Sequence, residues 1–180
     1  MRIPARLDRA PSRRSGEGGQ SLVEFSLVLT PLLLILLGII QFGFIFNSYI
    51  TIANATREGA RDGSIYVYQQ AQSKAQNDAA RNTAIETTIK RSMNLLSSTA
   101  PWFSTPDVWT QTGETFTNGD LTITYAQPAG INQSDPRVGQ TVTVRMQYHQ
   151  DLLIPLISAL LPRDASGRMV LSGEVTMVIN

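Results

Sequence analysis

The feature that most constrains this sequence is a run of 32 residues, from 25 to 56, without a charged side chain. Most positions in the run hold Leu, Ile, Phe or Val. An α-helix rises about 1.5 Å per residue, so the run is longer than the roughly 30 Å hydrocarbon core of a bilayer requires. The sequence therefore predicts one transmembrane helix that continues beyond the membrane.

Charge is distributed unevenly on the two sides of this run. Residues 1–19 hold five arginines against Asp8 and Glu17, whereas residues 20–180 hold 10 basic and 12 acidic side chains. This asymmetry is the positive-inside pattern, and it predicts a cytoplasmic N-terminus and an extracytoplasmic C-terminal domain. Because orientation explains the arginines, we expect no nucleic-acid partner. Residues 1–18 have no apolar period, so we interpret them as a disordered leader.

The residue types needed for catalysis are scarce. The chain has no cysteine and one histidine, His149, which has Asp151 nearby but no nucleophile in the same motif. It has no phosphate-binding loop, no dinucleotide fingerprint and no paired histidines for zinc. We therefore expect no enzymatic activity, no catalytic residue, no metal or other cofactor and no small-molecule substrate. We interpret His149 as a surface residue.

A glycine and a glutamate mark the start of the apolar run, in the stretch Gly19-Gln20-Ser21-Leu22-Val23-Glu24-Phe25. A carboxylate in a bilayer costs about 2.5–3.5 kcal/mol at the centre and less near the interface. One interpretation is therefore an interfacial Glu24 at a helix start, where the helix dipole favours negative charge. The other rests on the whole pattern of basic leader, glycine and glutamate before an apolar helix. This pattern resembles the prepilin-peptidase site of type IV pilin-like proteins.

The resemblance implies cleavage after Gly19, which makes Gln20 the first residue of the mature chain. It also implies that Glu24 and Phe25 serve peptidase recognition and assembly. In that superfamily the glutamate is thought to meet the terminal amine of a neighbouring subunit, and such an ion pair is stronger in a low dielectric than in water. A secretory signal places its apolar region before the cleavage site. Here the apolar run follows it and stays attached.

Three further motifs follow in order, at residues 29–34 (LTPLLL), 38–43 (GIIQFG) and 53–61 (ANATREGAR). Together with the first motif they make residues 16–63 similar to the TadE-like family, the minor pseudopilins of Tad (Flp) pilus systems. One departure is that many members carry a charged residue near Gln41 or Phe44, and this chain does not.

The resemblance implies a structural, adhesion-related protein of the bacterial cytoplasmic membrane that takes part in Tad pilus assembly, in the pilus or at its base. The implied partners are the lipid bilayer, a prepilin peptidase, other Tad pilus subunits and the inner-membrane assembly platform. A second function remains open, that of a signal-anchored protein whose outer domain binds a partner without assembling. Gly19 and Glu24 distinguish the two functions, because a membrane anchor that does not assemble requires neither a processing glycine nor a glutamate at the head of the helix.

The helix carries two further features. Pro31 removes a backbone hydrogen bond, so we expect a kink there. Beyond the apolar run, Arg57, Glu58 and Arg61 form either a solvated face or a contact with other subunits. Gly59 and Gly63 lower the helix propensity and indicate a bend or an end.

The remaining residues predict a small exported domain. Ala71, Ala75, Ala79, Ile85, Ile89, Met93 and Leu96 recur at helical spacing and predict an amphipathic helix laid over a sheet. Apolar residues alternate over 121–125, 142–148 and 169–179, and Asn118-Gly119 is a hairpin signal, so we expect three or four antiparallel strands. Residues 152–161 are apolar but too few to span a bilayer as a helix. They predict a short helix that covers the core, or a docking surface for a partner subunit.

These expectations define an α+β, pilin-like fold in which a long N-terminal transmembrane helix precedes a small domain of amphipathic helix and antiparallel sheet. The predicted boundaries are a leader at 1–19, the helix with its extracytoplasmic extension at 20–63, and the exported domain at 64–180.

Overall fold

A computed structural model describes residues 17–93, 96, 108–127 and 135–180 of this chain. Two helices, α1 (Glu17–Ser64) and α2 (Lys74–Met93), precede a sheet. The later elements are β1 (Thr110–Thr112), β2 (Thr115–Asn118), β3 (Leu121–Tyr125), β4 (Thr141–Gln150), the short helix α3 (Pro155–Ser158) and β5 (Met169–Val178). The chain divides after Ile39 into two compact units, and α1 contributes to both. The predicted leader, apart from its last three residues, lies outside the described residues.

The five strands form one antiparallel meander in the order β1-β2-β3-β4-β5, so the predicted α+β class is confirmed. The three strands with alternating apolar residues correspond to β3, β4 and β5. Strands β1 and β2 were not predicted individually, because three and four residues are too few to show a convincing alternation. Asn118 pairs with Leu121, so Gly119 and Asp120 form the two-residue turn, and Gly119 has the positive φ of 60° that such a turn requires.

The two faces of the sheet differ in composition. The covered face carries the alternating apolar residues of the strands, and these form most of the core: Phe116, Leu121, Ile123, Tyr125, Val142, Val144, Met146, Tyr148 and Leu171. The other face presents a row of paired threonines, in which the Oγ1 atoms of Thr115 and Thr124 lie 3.2 Å apart and those of Thr143 and Thr176 lie 2.8 Å apart. Only one face of the sheet is therefore built to pack against helices.

The second half of α1 supplies part of that cover through a buried stripe with helical period: Gln41, Ile45, Ser48, Ile52, Ala55, Thr56, Gly59, Ala60 and Gly63. The helix comes close to the sheet at Gly173 of β5. A Cβ atom added at Gly173 would lie 2.8 Å from Thr56 Oγ1 and 3.3 Å from the carbonyl oxygen of Ile52. A glycine at this position lets the helix backbone and the strand approach each other.

Two glycines allow a similarly close approach between α1 and α2. A Cβ added at Gly59 would lie 2.6 Å from Ile89 Cγ1, and one added at Gly63 would lie 2.5 Å from Ile85 Cδ1. Helix α1 continues through Gly59 and ends at Ser64. The role of Gly59 is therefore close helix packing rather than the bend that its low helix propensity suggested.

The predicted apolar stripe of α2 is correct in its second half and wrong in its first. Ile85, Ile89 and Met93 are buried, whereas Ala71, Ala75 and Ala79 are exposed. The buried residues in the first half of the helix are instead polar or charged: Asn77, Asp78, Arg81, Asn82 and Glu86. Helix α2 thus packs a charged surface against the sheet.

Complementary charges on the sheet side make this burial possible. Arg137 donates from Nε and Nη2 to the two carboxylate oxygens of Asp78, at 3.0 and 2.7 Å, and Arg81 donates to Asp135 at 3.0 Å. Burial alone would lower the pKa of Arg137, but its hydrogen bonds to Asp78 and then Glu114 outweigh burial and raise the pKa. The two-bond pairing with Asp78 offsets much of the penalty for burying Arg137. Arg81 bonds Asp135 through Nη2 alone, and its Nε and Nη1 have no hydrogen-bond partner among the described residues.

Aromatic side chains also contact these buried arginines. The guanidinium carbon of Arg137 lies 4.1 Å from the ring centroid of Tyr125, and that of Arg81 lies 4.9 Å from the ring of Tyr66. The Tyr125 hydroxyl donates to Asn82 Oδ1 at 2.6 Å, and burial raises the pKa of this tyrosine. The first half of α2 is consequently held to the sheet by directional polar contacts rather than by apolar burial.

The apolar segment 152–161 only partly covers the core. Its helix, α3, has four residues. Leu152 and Leu161, the first and last residues of the segment, are partly buried against the core. Leu153 and Leu160 are 66% and 83% exposed. The two ends of the segment, Leu152 and Leu161, therefore cover the core as expected. Leu153 and Leu160 do not contribute to this cover, because they are exposed.

Candidate functional site: the membrane-anchoring helix

The first half of α1 exposes large apolar side chains on all sides. The most exposed are Leu22, Val23, Phe25, Leu27, Val28, Ile35 and Ile39, each at 63% or more. In water this exposure costs about 25 cal/mol per Å² of apolar surface. Among the described residues α1 is the one helix long and apolar enough to cross a membrane, and none of its most apolar 18-residue window is buried. The helix is suited to a lipid environment.

Gly19 and Gln20, the predicted processing site, lie in the first turns of α1 and are exposed. A Cβ added at Gly19 would meet no atom within 4 Å, and Gly19 lacks the positive φ that would favour glycine. Glycine costs about 1 kcal/mol relative to alanine in a helix interior. The fold therefore gives no reason for glycine at position 19, in contrast to Gly59 and Gly173.

Glu24 and Phe25 lie on the outer surface of the same helix, and both are exposed. Gln20 Nε2 donates to Glu24 Oε1 across one helical turn, at 3.1 Å. This contact satisfies one lone pair of the carboxylate but brings no positive charge. The carboxylate is thus accessible to a cationic group on another molecule.

Pro31 lies inside α1, and the helix continues on both sides of it. Pro31 has no N–H and donates no bond to the carbonyl of Leu27. In the preceding turn the Thr30 hydroxyl donates to the carbonyl of Ser26, and the Ser26 hydroxyl donates to that of Leu22, both at 2.8 Å. Hydroxyl bonds of this kind often bend helices. The kink at Pro31 remains a prediction.

Arg57, Glu58 and Arg61 are exposed on the side of α1 that faces away from its buried stripe. Glu58 and Arg61 line a shallow groove of about 240 Å³ together with Asp62, Thr88 and Arg91. The groove is charged on both sides, as a solvated surface or a polar subunit contact would be. Both interpretations of the three residues therefore stay open.

His149 is bracketed by two carboxylates that the sequence did not place beside it. Its Nδ1 lies 2.6 Å from Asp164 Oδ2 and its Nε2 lies 3.2 Å from Asp120 Oδ2, whereas the expected neighbour was Asp151. Hydrogen bonds from Ser166, then Arg168 and His149, lower the pKa of Asp164. The cluster joins the end of β4 to the β2–β3 turn and to the loop before β5. No group of three or more His, Cys, Asp or Glu side chains among the described residues is arranged to hold a metal ion.

Sequence reasoning noted Gln41 only as an uncharged position, yet it is one of the most informative residues of the helix. Its side chain is fully buried, and its Oε1 accepts a hydrogen bond from the backbone N–H of Leu153 at 2.9 Å. Farther along α1, the Ser48 hydroxyl donates to Gln150 Oε1. Gln41 has the helical spacing of the residues that are buried farther along α1. Its polar side chain within the uncharged run was the sequence signal that could have identified it.

The long apolar helix indicates membrane anchoring, and the chain after it forms a small α+β domain. Residues 19–61 match the family model described as TadE-like protein. This match confirms the predicted resemblance to the TadE-like family over residues 19–61. Comparisons with curated proteins and with solved structures each gave no match.

Proposed function

We propose that this protein is a minor pseudopilin that is cleaved by a prepilin peptidase after Gly19 and then takes part in Tad pilus assembly. The observation that carries the proposal is the glycine itself. Gly19 lies where the fold does not need a glycine, and it lies at the start of the segment that matches the TadE-like family. A requirement outside the fold, such as recognition by a peptidase, accounts for a residue that weakens its own helix.

Helix geometry supports the same proposal. Peptidases act on extended backbone, whereas Gly19 and Gln20 lie in the first turns of α1. The first turns of a helix fray easily, and the glycine lowers the cost of unwinding them. Cleavage there removes the basic leader and leaves the whole apolar helix on the mature chain.

We propose that Glu24 acts in pilus assembly. After cleavage the Gln20 amine is a new positive charge at the head of an apolar helix. A carboxylate on a second subunit stabilises this amine in a low dielectric, where unit charges attract more strongly than in water. Because Glu24 is exposed and contacts a neutral amide, it is placed to pair with such an amine.

The location follows from charge and length. The arginine-rich leader favours a cytoplasmic N-terminus, and with a single span the domain after α1 then lies outside the cytoplasmic membrane. The partners we propose are the prepilin peptidase, other Tad pilus subunits, the inner-membrane assembly platform and the lipid bilayer. We propose a structural rather than an enzymatic role, supported by the lack of cysteine and of recognisable catalytic motifs.

N-terminal sequencing of the protein from membranes and from sheared surface filaments tests the proposal. We expect Gln20 as the first residue in both fractions. Gly19→Val is expected to keep the full-length chain in the membrane, whereas the control Gly43→Val is expected to be processed normally. Gly43 is a suitable control because it lies in the same helix and also has no atom within 4 Å of an added Cβ.

The alternative is a signal-anchored protein that binds a partner outside the membrane and never assembles. An intact N-terminus, or normal processing of Gly19→Val, would favour this anchor. It would also leave Gly19 and Glu24 without a function.

A further inference from the structure

Two leucines of segment 152–161, Leu153 and Leu160, are exposed, and they are called the leucine pair below. They are 66% and 83% exposed, although Leu152 and Leu161, their neighbours in sequence, pack against the core. The folded domain therefore gains little from the apolar area of the exposed pair. Two exposed leucines on one short segment make it a candidate for contact with another apolar surface.

The start of segment 152–161 is held against α1. The backbone N–H of Leu153 donates to Gln41 Oε1 at 2.9 Å, and Gln41 is fully buried. The Ser48 hydroxyl bonds Gln150 at the end of β4, just before the segment begins. The segment thus lies against the part of α1 between residues 41 and 48.

That part of α1 coincides with the expected membrane boundary. A helix needs about 20 apolar residues to cross the hydrocarbon core, and counting from Phe25 gives a boundary near residue 44. Phe42, Phe46 and Tyr49 are half exposed or more on the outer side of these turns. Aromatic side chains are enriched where a helix leaves the bilayer, because tyrosine in particular has an apolar ring and a polar hydroxyl.

We propose that Leu153 and Leu160 insert into the outer interface of the bilayer that α1 crosses. The partner is lipid, and the domain then touches the membrane at two places, the α1 turns at 41–49 and the leucine pair. Exposed Arg163 follows Leu161 closely, so its guanidinium group is available to lipid phosphates. Exposed Asp151 at the other end of the segment limits how deeply it enters. The inference rests on the membrane anchoring in the proposed function.

Interfacial insertion has a physical consequence for the domain. A single helix leaves an attached domain free to tilt, whereas a second contact several residues wide restricts its orientation to the bilayer. The contact is shallow, because it rests on the two leucine side chains of the pair and a charged residue lies at each end of the segment. It is therefore a positioning contact and does not act as a second membrane span.

Single-cysteine labelling tests the proposal cleanly because the natural chain has no cysteine. Three single-cysteine variants of the full chain are each labelled with an environment-sensitive fluorophore: Leu160→Cys, Leu34→Cys and Gln111→Cys. Each variant is then reconstituted into phosphatidylcholine–phosphatidylglycerol vesicles that contain spin-labelled lipid. Leu34 lies in the apolar helix, and Gln111 is exposed on β1, at the other edge of the sheet from β5. We expect severalfold stronger quenching at position 160 than at position 111, with quenching at position 34 as the reference for insertion.

Equal, weak quenching at positions 160 and 111, with strong quenching at 34, would overturn the lipid contact and leave the anchor intact. Weak quenching at all three positions would overturn both the anchor and the proposal that rests on it. A membrane-impermeant maleimide applied to cells provides a second measurement. Protection of Leu160→Cys in cells without quenching in vesicles would show that a protein covers the pair, and this too would overturn the proposal.

Discussion

Arg137 and Asp78 form a two-bond ion pair in which both side chains are almost fully buried, at 1% and 5% exposed. Asp78 belongs to α2, and Arg137 lies just before β4, so the pair fastens the helix to the sheet. Removing one member of a buried pair costs about 3–5 kcal/mol when the other charge is left without any partner. Arg137 keeps Glu114 as a second carboxylate partner, so Asp78→Ala is expected to lower the free energy of unfolding by up to that amount in thermal unfolding of the full chain in detergent.

The exposed pair of Lys74 and Glu114 provides the control for that measurement. The side chain of Lys74 is 44% exposed, and its Nζ lies 3.3 Å from Glu114 Oε1. Exposed pairs contribute about 0–1 kcal/mol, so Lys74→Ala is expected to change stability little. Equal losses from Lys74→Ala and Asp78→Ala would show that the buried pair has no special role.

Acid is expected to weaken the same region through Glu114. Burial raises the pKa of Glu114, but the hydrogen bond and charge of Arg137, and then those of Lys74, outweigh burial and hold the pKa below its ordinary value of 4.5. The unfolded chain therefore takes up a proton at a higher pH than the folded chain does. This contribution to stability is present above about pH 4.5 and is lost as the pH falls through the lower folded pKa.

Thermal unfolding between pH 7 and pH 3 measures this effect. Glu114→Gln is expected to be less stable than the natural chain at pH 7, and the difference is expected to shrink as the pH falls. A difference that stays constant over the whole range would show that the charge of Glu114 does not contribute.

Gly59 is expected to be the least replaceable glycine of α1. A side chain there would press on Ile89, and also on the carbonyl oxygen of Ile85 at 3.3 Å from the added Cβ. Overpacking of this kind typically costs about 1–3 kcal/mol. Gly59→Val is expected to lower the unfolding temperature, whereas Gly43→Val, with open space around it, is expected to change it far less. Similar unfolding temperatures for the two variants would contradict the close helix contact.

Glu24→Gln is expected to separate processing from assembly. Peptidase recognition depends more on Gly19 than on Glu24, so the variant is expected to be cleaved and inserted. Loss of the carboxylate leaves the amine of a neighbouring subunit unpaired in an apolar setting, at a cost of about 3–5 kcal/mol. We therefore expect a deletion strain complemented with Glu24→Gln to yield few surface filaments.

Glu58→Gln provides a matched control, since Glu58 is an exposed carboxylate on the same helix, outside the apolar run. It is expected to support normal filaments if Glu58 belongs to a solvated face. Normal filaments from a fully processed Glu24→Gln protein would remove the assembly role of Glu24 and favour the interfacial interpretation.

Topology provides the last prediction. The charge asymmetry across the apolar run predicts that the domain after α1 lies outside the cytoplasmic membrane. A reporter that is active only outside the cytoplasm, fused after Asn180, is expected to be active. Activity of a cytoplasm-only reporter at the same position would reverse the orientation and contradict the pseudopilin proposal.

The sequence alone determined the elements whose signals are local. The uncharged run of 32 residues specified the apolar helix, and strict alternation specified β3, β4 and β5. The Asn118-Gly119 signal located the β2–β3 turn through Gly119, because few residues accept the positive φ found there, whereas Asn118 is the last residue of β2. The ordered motifs from Gly19 to Arg61 specified the family resemblance, since they depend on residue identity rather than on packing.

Tertiary structure decided which side of each helix is buried. Asp78, Arg81 and Asn82 have the spacing of a solvated helix face, and alanines on the opposite side suggested the core instead. Their burial depends on Arg137, Asp135 and Tyr125, which lie more than 40 residues away in sequence. A charge is buried when a partner compensates its lost hydration, and a sequence pattern within one helix carries no information about such a distant partner.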